Sequence, residues 1–245
     1  MVLVRILAID TSTPCGSVAV VRDGTVVGVT STWTDEAYSS RMFRHLEWLL
    51  RELGATLEDI DLFAIITGPG SFTGLRVGLA AVKGWAEVYS KPIIGVNALE
   101  AIAAQSRSTD SVLVPVLDAR RGEVYFGHYR RHAGNGPTNL VRAGETLVMS
   151  PQKFFADVHQ SLGDQTFTIV TSTPQVFVNE IGQQNDADHG GRRLTIESVS
   201  GVLAPVAGEI AWRRIQAGGT ATSDSLTLDA NYVRRTDAEV KWKGN

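Results

Sequence analysis

Residues Thr67–Gly78 read TGPGSFTGLRVG, and the organisation of the whole chain turns on them. An apolar run, Leu62 to Ile66, precedes this stretch, and a helix-compatible run follows it to about Ser90. Strand, glycine-rich turn and helix start is a setting that leaves backbone N–H groups free to face an anion. Gly68 and Gly70 permit positive φ or close approach, and Ser71 and Thr73 can cap the helix. No Lys-Ser/Thr pair follows the last glycine, so this is not a Walker A loop. The spacing is compatible with a phosphate contact or with a tight turn that seats a helix on its sheet. Along the helix, at 100° per residue, Arg76, Lys83 and Glu87 fall in a strip about 40° wide. Leu75, Leu79, Val82 and Ala86 form one bulky side. Gly74, Val77, Gly78, Ala81, Gly84, Trp85 and Val88 form another. A helix with two apolar sides needs two covers, its own sheet and either a neighbouring helix or a second chain.

With 245 residues, 43% of them hydrophobic, the chain can build one large core or two small ones. A net charge of −3 gives no electrostatic footprint for nucleic acid. Cys15 is the single cysteine, which rules out an internal disulfide and suits a reducing cytoplasm. The N-terminus is too short and too soon acidic for a signal peptide. No apolar run approaches the roughly 18 residues of a membrane span, so a soluble, cytoplasmic protein is expected.

Before the central stretch, Val2–Ile9, Ser17–Val21 and Val26–Trp33 read as strands, with Arg22-Asp23-Gly24 as a hairpin signal. Asp10, Thr11 and Ser12 lie at the first bend, where they can embrace a phosphate or merely cap the turn. Ser39 or Ser40 caps a helix to Leu53, with Met42, Phe43, Leu46, Leu49, Leu50 and Leu53 as its inner stripe. Trp48 lies outside that stripe among Arg41, Arg44, His45 and Arg51, as an interface anchor or as a Trp flat on the surface. Ile93–Val96 and Ala98–Ser106 continue the first lobe as strand and helix, giving β-β-β-α-β-α-β-α. Beyond a hydrophilic seam at 106–110, strands are expected at Val112–Leu117, Glu123–Arg131 and near Leu140 after a turn at 134–137. A helix over Pro151–Leu162, a strand over Phe167–Thr171, a polar loop at 183–193 and a helix over Gly201–Ala217 follow. A linker at 218–225 leads to a basic tail. The division expected is a first lobe over 1–106, a smaller second lobe over 107–225 and a tail over 226–245 that can return to the first lobe.

Three segments together, AIDTST near the start, GPGSFTGLRVG with GVNALEA behind it, and DAR-x-GEVY at Asp118–Tyr125, resemble the TsaB (YeaZ) family. The late Asn231-Tyr232-Val233-Arg234-Arg235 is similar to that family's closing segment. The resemblance implies a two-lobed α/β fold of the actin/Hsp70/sugar-kinase type, which has related β-β-β-α-β-α-β units. It also implies a share in making N6-threonylcarbamoyladenosine at position 37 of tRNAs that read codons beginning with A. The partners implied are TsaD, which transfers the group, and TsaE, a small ATPase; tRNA would be met through the complex, and a homodimer is expected in isolation. TsaD carries the pattern GVNHLEGH, whose two histidines hold a metal. Here Ala98 and Ile102 stand at those positions, so no catalytic residue and no metal site is expected. His128 and His132 flank a strand, too far apart to share an ion, and His45, His159 and His189 read as surface side chains. No Ser or Cys has a base marked by spacing.

The docking residues expected are Arg41, Arg44, His45, Trp48, Gly74, Val77, Gly78, Ala81, Gly84 and Trp85, on two helices packed side by side. Asp10, Thr11, Ser12, Gly70, Ser71 and Thr73 are the remnants of phosphate loops. They leave weak nucleotide binding open, although no cofactor is expected. Asp118 and Arg120 stand where a second such loop would be. The alternatives are a stand-alone small-molecule kinase of the same fold, tRNA binding through Arg234, Arg235, Lys241 and Lys243, and a metallopeptidase-like protein, which the missing ligands disfavour.

Overall fold

A computed structural model describes residues 3–33, 38–131, 140–177, 195–219, 228–229 and 233. The turn at 134–137, the loop at 183–193, His132, His189 and the basic residues of the tail lie outside them. The elements are β1 (Arg5–Asp10), β2 (Ser17–Arg22), β3 (Thr25–Ser31), α1 (Tyr38–Glu52), β4 (Leu62–Gly68), α2 (Phe72–Tyr89), β5 (Ile93–Asn97) and α3 (Ala98–Ala103). After them come β6 (Val112–Arg120), β7 (Glu123–Arg131), β8 (Leu140–Met149), α4 (Pro151–Leu162), β9 (Phe167–Thr171), β10 (Thr195–Ser198) and α5 (Ala204–Gln216).

The β2–β3 turn is set locally: Asp23 and Gly24 follow β2 at φ 49° and 79°, the two left-handed residues that a tight hairpin into β3 requires. The first sheet runs β3-β2-β1-β4-β5 and the second β10-β9-β6-β7-β8. In each, the first strand pairs antiparallel with the second and parallel with the fourth. The second sheet therefore repeats the first in topology, although no repeat is visible in the residues. Strand β10 is missing from the sequence reading, which has no element between Thr171 and Gly201. Its four residues, TIES, carry one apolar side chain, and main-chain pairing to β9 (Ile196 opposite Ile169) makes it a strand.

Alternation along the strands sorts the core into layers. Leu7, Ile9, Val18, Val20, Phe63 and Ile65 face α1 and α2. Ile6, Ala8, Ala19, Val21, Ala64 and Ile66 face the other way, into a cluster shared with Leu113, Leu117, Tyr125 and Tyr129 of the second sheet. Helices α3 and α5 fill that middle layer. Beyond the second sheet, Phe154, Phe155 and Phe177 stack on Val116, Phe126 and Ile169. Both faces of the central strands β1, β4, β6 and β9 are buried, which is why they read as largely apolar runs, whereas the outer strands β3, β8 and β10 are partly exposed.

Helix α5 departs from the expected division. Its place in the sequence puts it in the second lobe, but it packs on the first sheet. A Cβ on Gly208 would meet Val21 at 2.5 Å and Ala8 at 3.3 Å, and Trp212 lies beside Gly24. Arg214 of α5 donates to Gly95 O at 2.8 Å and reaches both carboxylate oxygens of Glu100 at 2.6 and 2.7 Å. The second lobe grips back through Glu197, which accepts from Ser106 Oγ at 2.5 Å and Arg107 N at 2.8 Å. Leu228 packs against Gly95 of the first lobe, and Val233 packs on the middle cluster shared by the two sheets.

Candidate functional site

At the centre are two loops, the β1–β2 turn and the turn from β4 into α2. Asp10 ends β1 and is fully buried; its Oδ1 accepts from Ser12 N at 2.7 Å and Ser12 Oγ at 2.6 Å, and Thr13 Oγ1 lies 3.4 Å from Oδ2. Burial pushes its carboxyl up to about 6, against the opposing pull of the Ser12 and Thr13 hydrogen bonds. Thr11 Oγ1 donates to Gly74 O at 2.7 Å, and Ser71 N donates to Ser12 O at 2.7 Å. Ser71 also caps α2, its hydroxyl accepting from Gly74 N at 3.2 Å. The two loops expected as phosphate contacts thus bond to each other. Of the six expected residues, Asp10, Thr11, Ser12, Gly70 and Ser71 meet in this junction, and Thr73 is exposed on the first turn of α2.

This junction corrects two of the docking residues. Gly74 and Gly78 do not lie on the outer face of α2. A Cβ on either would strike Thr11, so the close approach they allow is between α2 and its own sheet. Arg41 is corrected as well. It is buried, donates to the carbonyl and hydroxyl oxygens of Thr32, and lies 5.1 Å from the Tyr38 ring centre. A helix wheel assigns its direction but cannot show that the end of β3 covers it.

The outer face of the helix pair is apolar nonetheless. On α2, Ala80, Gly84 and Val88 are exposed, Val88 by 74%, and Val77, Ala81 and Trp85 are partly so. On α1, Arg44 and Trp48 are exposed, Trp48 by 47%. The sequence reading misses one contributor, Phe43, which it assigns to the inner stripe. Phe43 is 51% exposed and meets Trp85 edge to face at 6.1 Å, joining the two helices at their surface. It lies about 75° from the centre of the α1 stripe, a margin that 100° per residue could have flagged. His45 is half-buried with Nδ1 3.0 Å from Tyr38 Oη. Burial, then the guanidinium groups of Arg41 and Arg44, hold the imidazole below its ordinary range, so the ring that shares a hydrogen bond with the tyrosine hydroxyl is favoured in its neutral form.

The two positions at which the resemblance implies metal-binding histidines in TsaD offer no donor atom here. Ala98 and Ile102 lie on α3 in the middle layer and are fully buried among apolar side chains. Their methyl and hydrocarbon groups do not suit a metal ion. Among the described residues, no three His, Cys, Asp or Glu side chains come together as a metal site would require. His128 is half-buried against Phe126 rather than at the surface, and His159 packs on Phe167. At the β6–β7 turn, Asp118 Oδ1 accepts from Arg120 N at 2.7 Å, and the backbone runs left-handed through Arg120, Arg121 and Gly122. No helix among the described residues is long and apolar enough to cross a membrane.

The comparisons with known proteins agree with this anatomy. Residues 22–166 match the family model of TsaD, tRNA N6-adenosine threonylcarbamoyltransferase. YeaZ from Pseudomonas aeruginosa superposes with a TM-score of 0.70 at 23% identity, covering 92% of this chain and 99% of that one. The Lmo2764 protein of Listeria monocytogenes, a proposed N-acetylmannosamine kinase, superposes at 0.51 and 13% identity over 88% of this chain and all of the other. These likenesses place the architecture in the actin/Hsp70/sugar-kinase class. The Bacillus subtilis tRNA threonylcarbamoyladenosine biosynthesis protein TsaB is 36% identical over 97% of this chain and 97% of its own. On that identity and coverage, this chain belongs to the TsaB family and takes part in the synthesis of threonylcarbamoyladenosine in tRNA.

Proposed function

We propose that the protein is a non-catalytic subunit that docks on a TsaD-type transferase through the outer face of α1 and α2 and holds it in its competent conformation. The observation that carries this reading is the exposed apolar side chains of the helix pair, Val88 and the partly exposed Ala81 and Trp85 on α2, with Phe43 of α1 against Trp85 and Trp48 exposed elsewhere on α1, on helices whose inner faces are already buried. Large exposed patches of this kind mark interaction sites. Two helices of roughly 22 and 27 Å can supply a standard contact of about 1,600 Å² in all. A sister subunit of the same architecture would offer a matching helix pair, giving a four-helix contact. In the absence of that sister, the same patch supports a homodimer. The metal positions carry only hydrocarbon, which favours an activating role by population shift over a chemical one. TsaE and tRNA would then be met through the assembled complex, in the cytoplasm.

Reconstitution tests it: TsaD, TsaE, tRNA and threonylcarbamoyl-adenylate, with and without this chain. Modification is expected only when the chain is present, and the chain alone is expected to transfer nothing. Transfer by the chain alone would end the non-catalytic reading.

The kinase alternative needs a phosphate cradle. The Ser71 N–H that would line it donates to Ser12 O, and Thr11 Oγ1 is bonded to Gly74 O, so the reading without a cofactor is favoured. Calorimetry of the isolated chain with ATP and Mg²⁺ is expected to show no saturable heat. Micromolar affinity would restore the kinase alternative.

A further inference from the structure

The β1–β2 turn touches both docking helices at once. Thr11 Oγ1 donates to Gly74 O in the first turn of α2, and the Thr11 side chain fills the space that a Cβ on Gly78, one helical turn on, would need. On the other side of the turn, the Tyr38 ring at the start of α1 lies so close on Gly16 that a Cβ there would strike the ring at Cγ and Cδ1. Tyr38 is also the pivot of the first two turns of α1: its hydroxyl meets His45 Nδ1 at 3.0 Å, and Arg41 lies 5.1 Å from its ring centre. Within the turn, the buried Asp10 carboxylate fixes Ser12, whose carbonyl receives the Ser71 N–H at the mouth of α2.

We infer that residues 10–16 act as a keystone that sets α1 and α2 at one mutual placement, with Thr11 and Gly16 as positioning residues for docking. This rests on the docking reading above. The loop is closed by its own bonds to α2 and is used to aim two helices. A four-helix contact tolerates little error in that aim, because its side chains must interdigitate at interior density. The keystone itself never meets the partner.

The test uses the full chain with purified TsaD. Gly16→Ala displaces the Tyr38 ring, Thr11→Val deletes the bond to Gly74, and Thr11→Ser keeps it. Affinity is measured by calorimetry, and helix placement by the nuclear Overhauser contact between the Phe43 and Trp85 rings. Gly16→Ala and Thr11→Val are expected to weaken binding at least tenfold and to weaken that contact, while Thr11→Ser stays within threefold of the unaltered chain. If Gly16→Ala does not fold, the Thr11 pair decides the matter. A folded Thr11→Val protein with unchanged affinity overturns the keystone, as does one whose affinity falls while the Phe43–Trp85 contact is intact. Trp48→Asp, measured alongside, separates the two ideas: if it too binds normally, the docking reading fails rather than the keystone alone.

Discussion

Trp48→Asp and Val88→Asp, singly and together, are expected to abolish co-elution with TsaD while leaving the melting temperature within a degree or two. Both side chains are exposed, so removing them costs the fold little; surface changes of this kind fall within about 0.5 kcal/mol. In a contact the balance differs. A central apolar anchor is worth about 2 kcal/mol or more, and a carboxylate buried without a partner adds a desolvation penalty of similar size. Affinity should therefore fall roughly 30-fold or more for each variant. Ala81→Trp should act the same way by overfilling the face. Gly78→Trp would not test docking at all, because Gly78 is buried against Thr11 and Ile65 and the variant would disturb the fold itself. Normal co-elution of the Trp48→Asp/Val88→Asp double variant would remove these helices from the contact.

The second large effect concerns the buried acid. Asp10→Asn is expected to stabilise the protein at pH 7.5. The carboxyl titrates near 6 when folded, against an ordinary value of 3.8. A folded value above the unfolded one means that the folded state holds its proton longer. Asp10 therefore costs nothing below about pH 4 and progressively more as pH rises toward 6, reaching about 3 kcal/mol and staying there. Asparagine keeps the Oδ1 acceptor for Ser12 N and Oγ and carries no charge to bury. At about 2–4 °C per kcal/mol for a chain of this size, the gain is roughly 6–12 °C at pH 7.5, vanishing near pH 4. Thermal unfolding of both proteins across pH 4–8 reads it directly. A gap that is equal at both ends of that range, or that opens toward acid, would show that burial of the Asp10 charge does not govern it. The retention of a costly acid at the heart of the junction agrees with a turn kept for placement rather than for stability.

Most element types along the chain were legible in the residues because their signals are local. The alternation in β1, β2 and β4, the Asp23-Gly24 turn, the Ser71 and Pro151 helix starts and the apolar inner side of α2 all follow from period, turn chemistry and capping. The resemblance carried by GPGSFTG and DAR-x-GEVY brought the fold class and the pathway with it. Ala98 and Ile102 argued against a metal at the two positions where the resemblance implies one in TsaD, since neither side chain has a lone pair to give. What the residues could not show depends on neighbours distant in sequence. Strand β10 exists through its pairing with β9, α5 lies on the first sheet although it follows the second, and the twofold repetition of the sheets survives in topology alone. Gly74, Gly78 and Arg41 pointed outward on a helical wheel and inward in the molecule. A wheel measures angle around one axis, whereas burial is decided by what another part of the chain, here Thr11 and Thr32, brings to that face.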